Sequence, residues 1–335
     1  MSLQASQLES LEPQHTGEVV ATTVAGKSPA RLAMDRFRRD KGSMIALVIV
    51  VLYVLGGILA PILVSMNVLQ PLKLHQDLLN VDLGGIPNGA FGGTSWHHIF
   101  GLEPRTGTDF FSRLWYGLTF SLSIALAASL ITMIIGVVLG IVSGASGGWV
   151  DAIIGRITDL TLSFPQTLML LALSGAGVAL VAQTLHMSVS EALPNASYEV
   201  FALAIFGWPS VTRLIRGQVL SIRERDFVDA AKLLGASRMR LYFKEILPNL
   251  WAPILVQFTL IMPAYISAEA ALGFLGVGIP KPTPTLGNIM GDSFNFATSD
   301  FAFFFYPALL LAVIVISFNL LGDGLRDALD PKADR

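Results

Sequence analysis

Apolar residues are gathered into six long runs, with the polar and charged residues collected in the pieces between them. The runs are Met44 to Val68, Leu118 to Val142, Ile157 to Val181, Val200 to Leu220, Trp251 to Gly276 and Phe301 to Leu321. A helix rises about 1.5 Å per residue, so about 20 mostly apolar residues cross a hydrocarbon core of roughly 30 Å. Only an internally hydrogen-bonded backbone survives there. The pattern therefore predicts an all-α polytopic membrane protein with six transmembrane helices. The fourth run is the least apolar: Glu199 stands at one end, and Arg213 and Arg216 fall in its last turns, where long basic side chains reach back to the headgroups.

The pieces between the runs divide the chain further. Residues 1–29 are polar and poor in aromatics, so they bury too little apolar surface to offset ordering and are expected to form a disordered cytoplasmic tail. Residues 30–43 read as a basic amphipathic juxtamembrane helix with Leu32 and Phe37 toward lipid. The six-helix transmembrane body covers 44–322, with an extracytoplasmic loop at 67–117, a cytoplasmic loop at 221–249 and a cytoplasmic tail at 323–335. The sides follow from charge, because lysine and arginine accumulate on the cytoplasmic side of short loops. Of the 22 such residues, only Lys73, Arg105, Arg113 and Lys281 fall outside when both termini are placed in the cytoplasm.

Composition agrees with a membrane solvent: 53% of residues are hydrophobic, 14% are charged and the mean hydropathy is +0.63. The absence of cysteine excludes disulfides, thiolate metal sites and cysteine nucleophiles. The first thirty residues lack the charged start, short apolar core and small-residue cleavage site of a removable secretory signal, so the first run is expected to remain as an anchor. Residues 21–28, ATTVAGKS, match a relaxed phosphate-loop pattern. Without a strand before it or a helix-forming sequence after it, that match gives no nucleotide site, and no cofactor is expected on this chain. His97 and His98 are adjacent and point to different sides, with no carboxylate or third histidine at ligand spacing, so no metal site is assigned.

The loop between the fourth and fifth runs carries the most information. From Asp226 it reads as two short helices. Asp226 is the expected N-cap of the first, with Asp229 adding negative charge at the positive end of the helix dipole. Gly235 supplies the left-handed stop, and Ser237 caps a second helix that ends before Pro248. Phe227, Ala230, Ala231 and Leu234 follow the i, i+3, i+4, i+7 rule and form one apolar face. Such a face either docks into the groove of a soluble partner or packs on the chain's own membrane helices.

Asp229-Ala230-Ala231, Gly235 beyond them and Ile246-Leu247-Pro248 resemble the "EAA" loop of bacterial ABC importer permeases, with Asp229 where Glu is usual. Further segments resemble the C-type subunits of dipeptide and oligopeptide permeases. They are Phe100-Gly101 with Gly107-Thr108-Asp109 and Ser112-Arg113 (Thr108 standing where Arg is usual), Gly147 to Asp151, Glu269 to Gly276 with Pro282-Thr283-Pro284, and Phe318 to Asp327. The resemblance implies the MetI-like fold of binding-protein-dependent importers. It also implies a second, homologous permease as heterodimer partner, two ATPase subunits that hold the ATP and magnesium, and an extracytoplasmic substrate-binding protein. The 226–235 helix would then be the part that seats in the ATPase. Asp109 and Arg113 would lie where the binding protein docks.

For the substrate path the candidates are Asp159, Gln166, Gln257 and Glu269, since an intramembrane carboxylate needs a bundle interior or water. Asp159 and Gln166 are seven apart and would share a face of the third helix. Glu269 is expected either to pair with a polar group of the partner permease or to meet a peptide amine. Peptide is the expected substrate, with nickel chelate, glutathione or another small solute as the alternative. A secondary transporter is disfavoured by the lack of an internal repeat with broken helices at matching positions. A membrane hydrolase is disfavoured because His186 has no serine partner.

Overall fold

The computed structural model describes residues 29–329; residues 1–28 of the expected N-terminal tail, the ATTVAGKS segment among them, lie outside the described residues. Helix α1 (Pro29–Arg39) leads into α2 (Lys41–Ser65) through Asp40. The Asp40 carboxylate accepts hydrogen bonds from the Gly42 amide (3.0 Å), the Ser43 amide (3.3 Å) and the Ser43 hydroxyl, so the chain turns there. The amphipathic helix therefore ends four residues before the expected boundary at 43. Leu32 is exposed and Phe37 is half-buried.

The outer loop folds around a two-residue antiparallel ribbon, β1 (Leu79–Asn80) and β2 (Ile86–Pro87). It ends earlier than its sequence suggests. Asp109 caps α3 (Phe110–Ser146) by accepting from the Ser112 amide at 2.8 Å, so residues 110–117 are helix, not loop. At the other end Gly147 and Gly148, both at positive φ, turn the chain sharply into α4 (Gly148–Leu162).

The expected third span is not one helix. It breaks at Ser163-Phe164-Pro165 into α4 and α5 (Gln166–Leu185), because Pro165 has no amide hydrogen to continue the ladder. Helix α6 (Ala192–Ile222) follows, then α7 (Asp226–Leu233), a short turn α8 (Arg238–Arg240) and α9 (Trp251–Phe274). A further helix, α10 (Leu286–Phe294), is absent from the hydropathy pattern. Thr285 and Asn288 box its start reciprocally, and it packs on α9 so closely that the Gly273 and Gly287 backbones touch. Helix α11 (Phe301–Leu329) runs eight residues past the last apolar run, through most of what was expected to be tail.

Among the described residues, five helices are long and apolar enough to cross a membrane: α2, α3, α5, α9 and α11. Helix α6 has 31 residues but is not among them, consistent with its Glu199, Arg213 and Arg216. The bundle is built on α3, whose apolar stretch is 56% buried, against 11% for α5. Its main neighbour is α6. Gly136, Gly140 and Gly144, spaced by four, bring the α3 backbone against Val211, Ile215 and Val219 of α6. This is the small-residue packing that replaces hydrophobic drive between helices in lipid.

Candidate functional site

Helix α7 hangs from the end of α6 by Arg223-Glu224-Arg225. Its N-cap is Arg225, with no side-chain capping bond, which corrects the expectation for Asp226. Asp226 and Asp229 instead occupy the first turn, where their charge still meets the orphan amides. The end is as the sequence predicts. Gly235 adopts φ +76°, its amide bonds the Lys232 carbonyl (2.9 Å) and the Ala236 amide bonds the Ala231 carbonyl (3.0 Å), a complete Schellman stop. Ser237 caps the return segment by accepting from the Arg240 amide at 3.3 Å. That segment does not stop before Pro248: it continues as a wide turn over Leu241–Ile246 and a tight one over Leu247–Asn249, which holds Pro248.

The burial of α7 shows which of its sides faces its own chain. Val228, 1% exposed, is its inward anchor and joins Ile222, Ile246 and Leu250 in the core. Burying such a side chain contributes about 1.5–3 kcal/mol. Phe227, Ala230 and Leu234 point outward and Ala231 is half-buried. Leu233 and Leu234 are 89% and 87% exposed, so the outward face is wider than the predicted four residues. Val228 and Leu233 were missed because the four-residue stripe already satisfied the helical period, and periodicity alone does not say which stripe faces in.

Polar ties fix the base of this arm. Arg216 holds Asp151 of α4 through two bonds of 2.6 Å, and the Ser143 hydroxyl donates to the same carboxylate. Arg213 bonds Asp159 at 2.8 Å, and Arg223 donates to the Gly144 carbonyl at 3.0 Å. Ser143, Asp151, Asp159, Arg213 and Arg216 border a cavity of about 330 Å³ between α3, α4 and α6. The Arg216 bonds pull the Asp151 carboxyl down to about 2, with Ser143 adding to the effect. An unfolded aspartate titrates near ~3.9, so the folded form binds fewer protons. The stability this pair contributes is therefore full above about pH 4 and is lost as pH falls toward about 2. Thermal melts of the purified chain should show Asp151→Asn flattening that acid limb while leaving the slope between about pH 6 and 8 unchanged.

The remaining candidates are scattered. Asp159 and Gln166 do not share a helix face, because the Ser163–Pro165 break separates them. Asp159 is committed to Arg213, and Gln166 and Gln257 are half-buried. Glu269 is sealed: it is 1% exposed, meets the Ser121 and Thr285 hydroxyls and lies within electrostatic reach of Glu199, so its neighbours come from this chain. Asp109 and Arg113 are also turned inward. His98 lies 2.8 Å from Asp109, and Glu103 lies 3.1 Å from Arg113, tying the outer loop to α3 instead of presenting these side chains to a partner.

A family model described as the inner membrane component of binding-protein-dependent transport systems matches residues 136–335. The chain belongs to this family. A second model, the N-terminal transmembrane domain of oligopeptide transport permease C, matches residues 28–80. The permease is 35% identical to a dipeptide transport system permease protein of Alkalihalophilus pseudofirmus over 91% of this chain and 90% of that one. It is 36% identical to an oligopeptide transport system permease protein of Bacillus subtilis (90% and 88%) and to a dipeptide transport system permease protein of Escherichia coli (95% and 98%). In structure it resembles a chain of the methionine ABC transporter MetNI, solved in inward-facing conformations. The match has a TM-score of 0.51 and 18% identity, and covers 66% of this chain and 97% of that one. The permease thus has the MetI-like fold and is a multi-pass membrane protein.

Proposed function

We infer that this permease moves di- or oligopeptides inward across the cytoplasmic membrane as the C-type subunit of an ATP-driven importer. Helix α6 serves as the sixth span beside the five more apolar ones, with both termini in the cytoplasm. A homologous permease completes the pore, two ATPase subunits hold ATP and magnesium and carry out hydrolysis, and an extracytoplasmic binding protein delivers the substrate. Half-buried Gln166 and Gln257 serve the path. The observation that carries this reading is α7: an amphipathic helix with one apolar side anchored by Val228 and the other, through Phe227, Ala230 and Leu234, left open. An apolar helix face outside the bilayer needs a protein groove.

Two measurements test it. Purification of the tagged permease should bring along a second permease and two ATPases; a transport-active homo-oligomer would contradict the assembly. The ligand that co-purifies with the cognate binding protein should be a peptide, and recovery of a nickel chelate or glutathione would move the substrate class without moving the fold.

A further inference from the structure

Where the outer loop meets the start of α11, the two enclose a cavity of about 410 Å³. Phe91 and Gly92 of the loop line one wall, and Asp300, Phe301, Phe305 and Tyr306 line the other. Phe301 and Phe305 are four apart on α11, so they share a face, and their rings stack with centroids 5.5 Å apart. Tyr306 is held by stacking on Phe100 at 4.5 Å. Phe91, Phe301 and Phe305 are all exposed, so aromatic rings form the mouth of the cavity.

The acid among these rings is Asp300, 6% exposed. Its Oδ1 accepts from the Phe303 amide at 3.2 Å and so caps α11. Its Oδ2 is buried and meets no hydrogen-bond donor among the described residues. Gly92, at φ +72°, lies against that oxygen: a β-carbon there would stand 2.8 Å from it. The loop's Arg105 places its guanidinium over the Phe296 ring, 5.3 Å from the centroid, and its charge is engaged there. A buried carboxyl oxygen in a folded protein ordinarily has a partner. A carboxyl group beside aromatic faces suits an organic ammonium, because the acid supplies charge and a hydrogen-bond acceptor while the rings supply their negative faces.

The depth of the cavity says where such a group comes from. Helix α11 is long and apolar enough to cross the membrane, and Phe301 is its first residue. Aromatic side chains at the end of a span lie at the level of the lipid headgroups. We propose that this cavity binds the primary ammonium of an ethanolamine phospholipid, with Asp300 Oδ2 accepting from its N–H and Phe91, Phe301 and Phe305 around the charge. The proposal needs only that α11 crosses the bilayer, whatever solute the chain transports. It also sets a selectivity. A choline headgroup has no N–H to donate, a glycerol headgroup has no positive charge, and a serine headgroup brings a carboxylate toward Asp300. A bound ethanolamine headgroup joins the loop at Phe91 to α11, so it should stabilise that junction.

The test uses the full-length permease in nanodiscs of phosphatidylglycerol mixed with either phosphatidylethanolamine or phosphatidylcholine. Lipids retained on release are identified by native mass spectrometry. Phosphatidylethanolamine should be retained over phosphatidylcholine by about tenfold or more, as one hydrogen bond to a charged group provides. It should also raise the melting temperature of the permease, and stepwise N-methylation of the lipid should lower both effects. Asp300→Asn keeps the cap, since its side-chain oxygen still accepts from the Phe303 amide, and should erase the preference. Phe91→Gly removes an exposed ring at φ +52°, a conformation glycine takes without strain, and should weaken the preference. Both variants should melt like the parent in phosphatidylcholine, which separates a lost site from a lost fold. Equal retention of the two lipids, or a preference that survives both substitutions, overturns the proposal. Displacement of the lipid by trialanine, but not by N-acetylated trialanine, would assign the ammonium to a peptide and overturn the lipid reading.

Discussion

Leu234→Asp abolishes capture of the ATPase subunits while leaving the permease folded and inserted. The two halves of this expectation come from one number, the 87% exposure of Leu234. A side chain that touches so little of its own protein is replaced at a cost within about 0.5 kcal/mol of folding stability. In the docked state the same position lies on the apolar face with Phe227 and Ala230, and a carboxylate there must lose its water with no cation built to receive it. Hot-spot losses of this kind reach 2 kcal/mol or more, so association should fall by about 30-fold or beyond, and peptide uptake with it. Val228→Asp is the contrasting variant. Its charge would enter the core beside Ile222 and Ile246, so it should unseat α7 and lower the stability of the permease itself. Pull-down of the ATPases and the melting curve of the purified permease separate the two. Full ATPase binding by Leu234→Asp would remove α7 from the docking surface.

Much of the frame was legible because membranes impose simple rules. Length and apolarity located the cores of α2, α3, α9 and α11 and ran α4 into α5, and the apolar stripe and Gly235 marked out α7, with Ser237 the cap of the segment after it. What escaped reading has physical causes. Helix α10 is nine residues long and amphipathic, so no hydropathy window large enough for a span detects it; its signal is the Thr285-to-Asn288 spacing of a capping box. The break after Leu162 was hidden because Ser163-Phe164-Pro165 leaves the local hydropathy high, although proline was the clue. Asp109 and Arg113 look like surface groups in sequence, and only their partners His98 and Glu103, ten or eleven residues earlier, turn them inward. Long-range pairs such as Asp151 with Arg216 leave no local signal in a single sequence at all, since each reads alone as a residue near the membrane edge.

The spacing of Gly136, Gly140 and Gly144 is the feature of largest structural consequence that hydropathy passes over, because glycine adds nothing to either side of that scale. A β-carbon on Gly140 would stand 2.7 Å from the Ile215 Cβ and 3.0 Å from the Thr212 carbonyl, the latter being backbone that cannot rotate away. Gly140→Leu must therefore push α3 from α6, opening the contact that also holds Gly136 against Val211 and Gly144 against Val219. Overpacking costs about 1–3 kcal/mol where the surroundings adjust, and a backbone-to-backbone contact sits at or above the top of that range. The expected result is a permease that inserts but loses its sharp melting transition. Gly217→Ala on α6 provides the control: nothing lies within 4 Å of its added carbon, and the helix propensity gain of up to about 1 kcal/mol should leave stability equal or higher. Because α3 and α6 carry the base of α7 between them, the Gly140→Leu permease should also lose ATPase capture, whereas Gly217→Ala keeps it. A Gly140→Leu protein that melts like the parent would show that the α3–α6 glycine contact is not the keel of the fold.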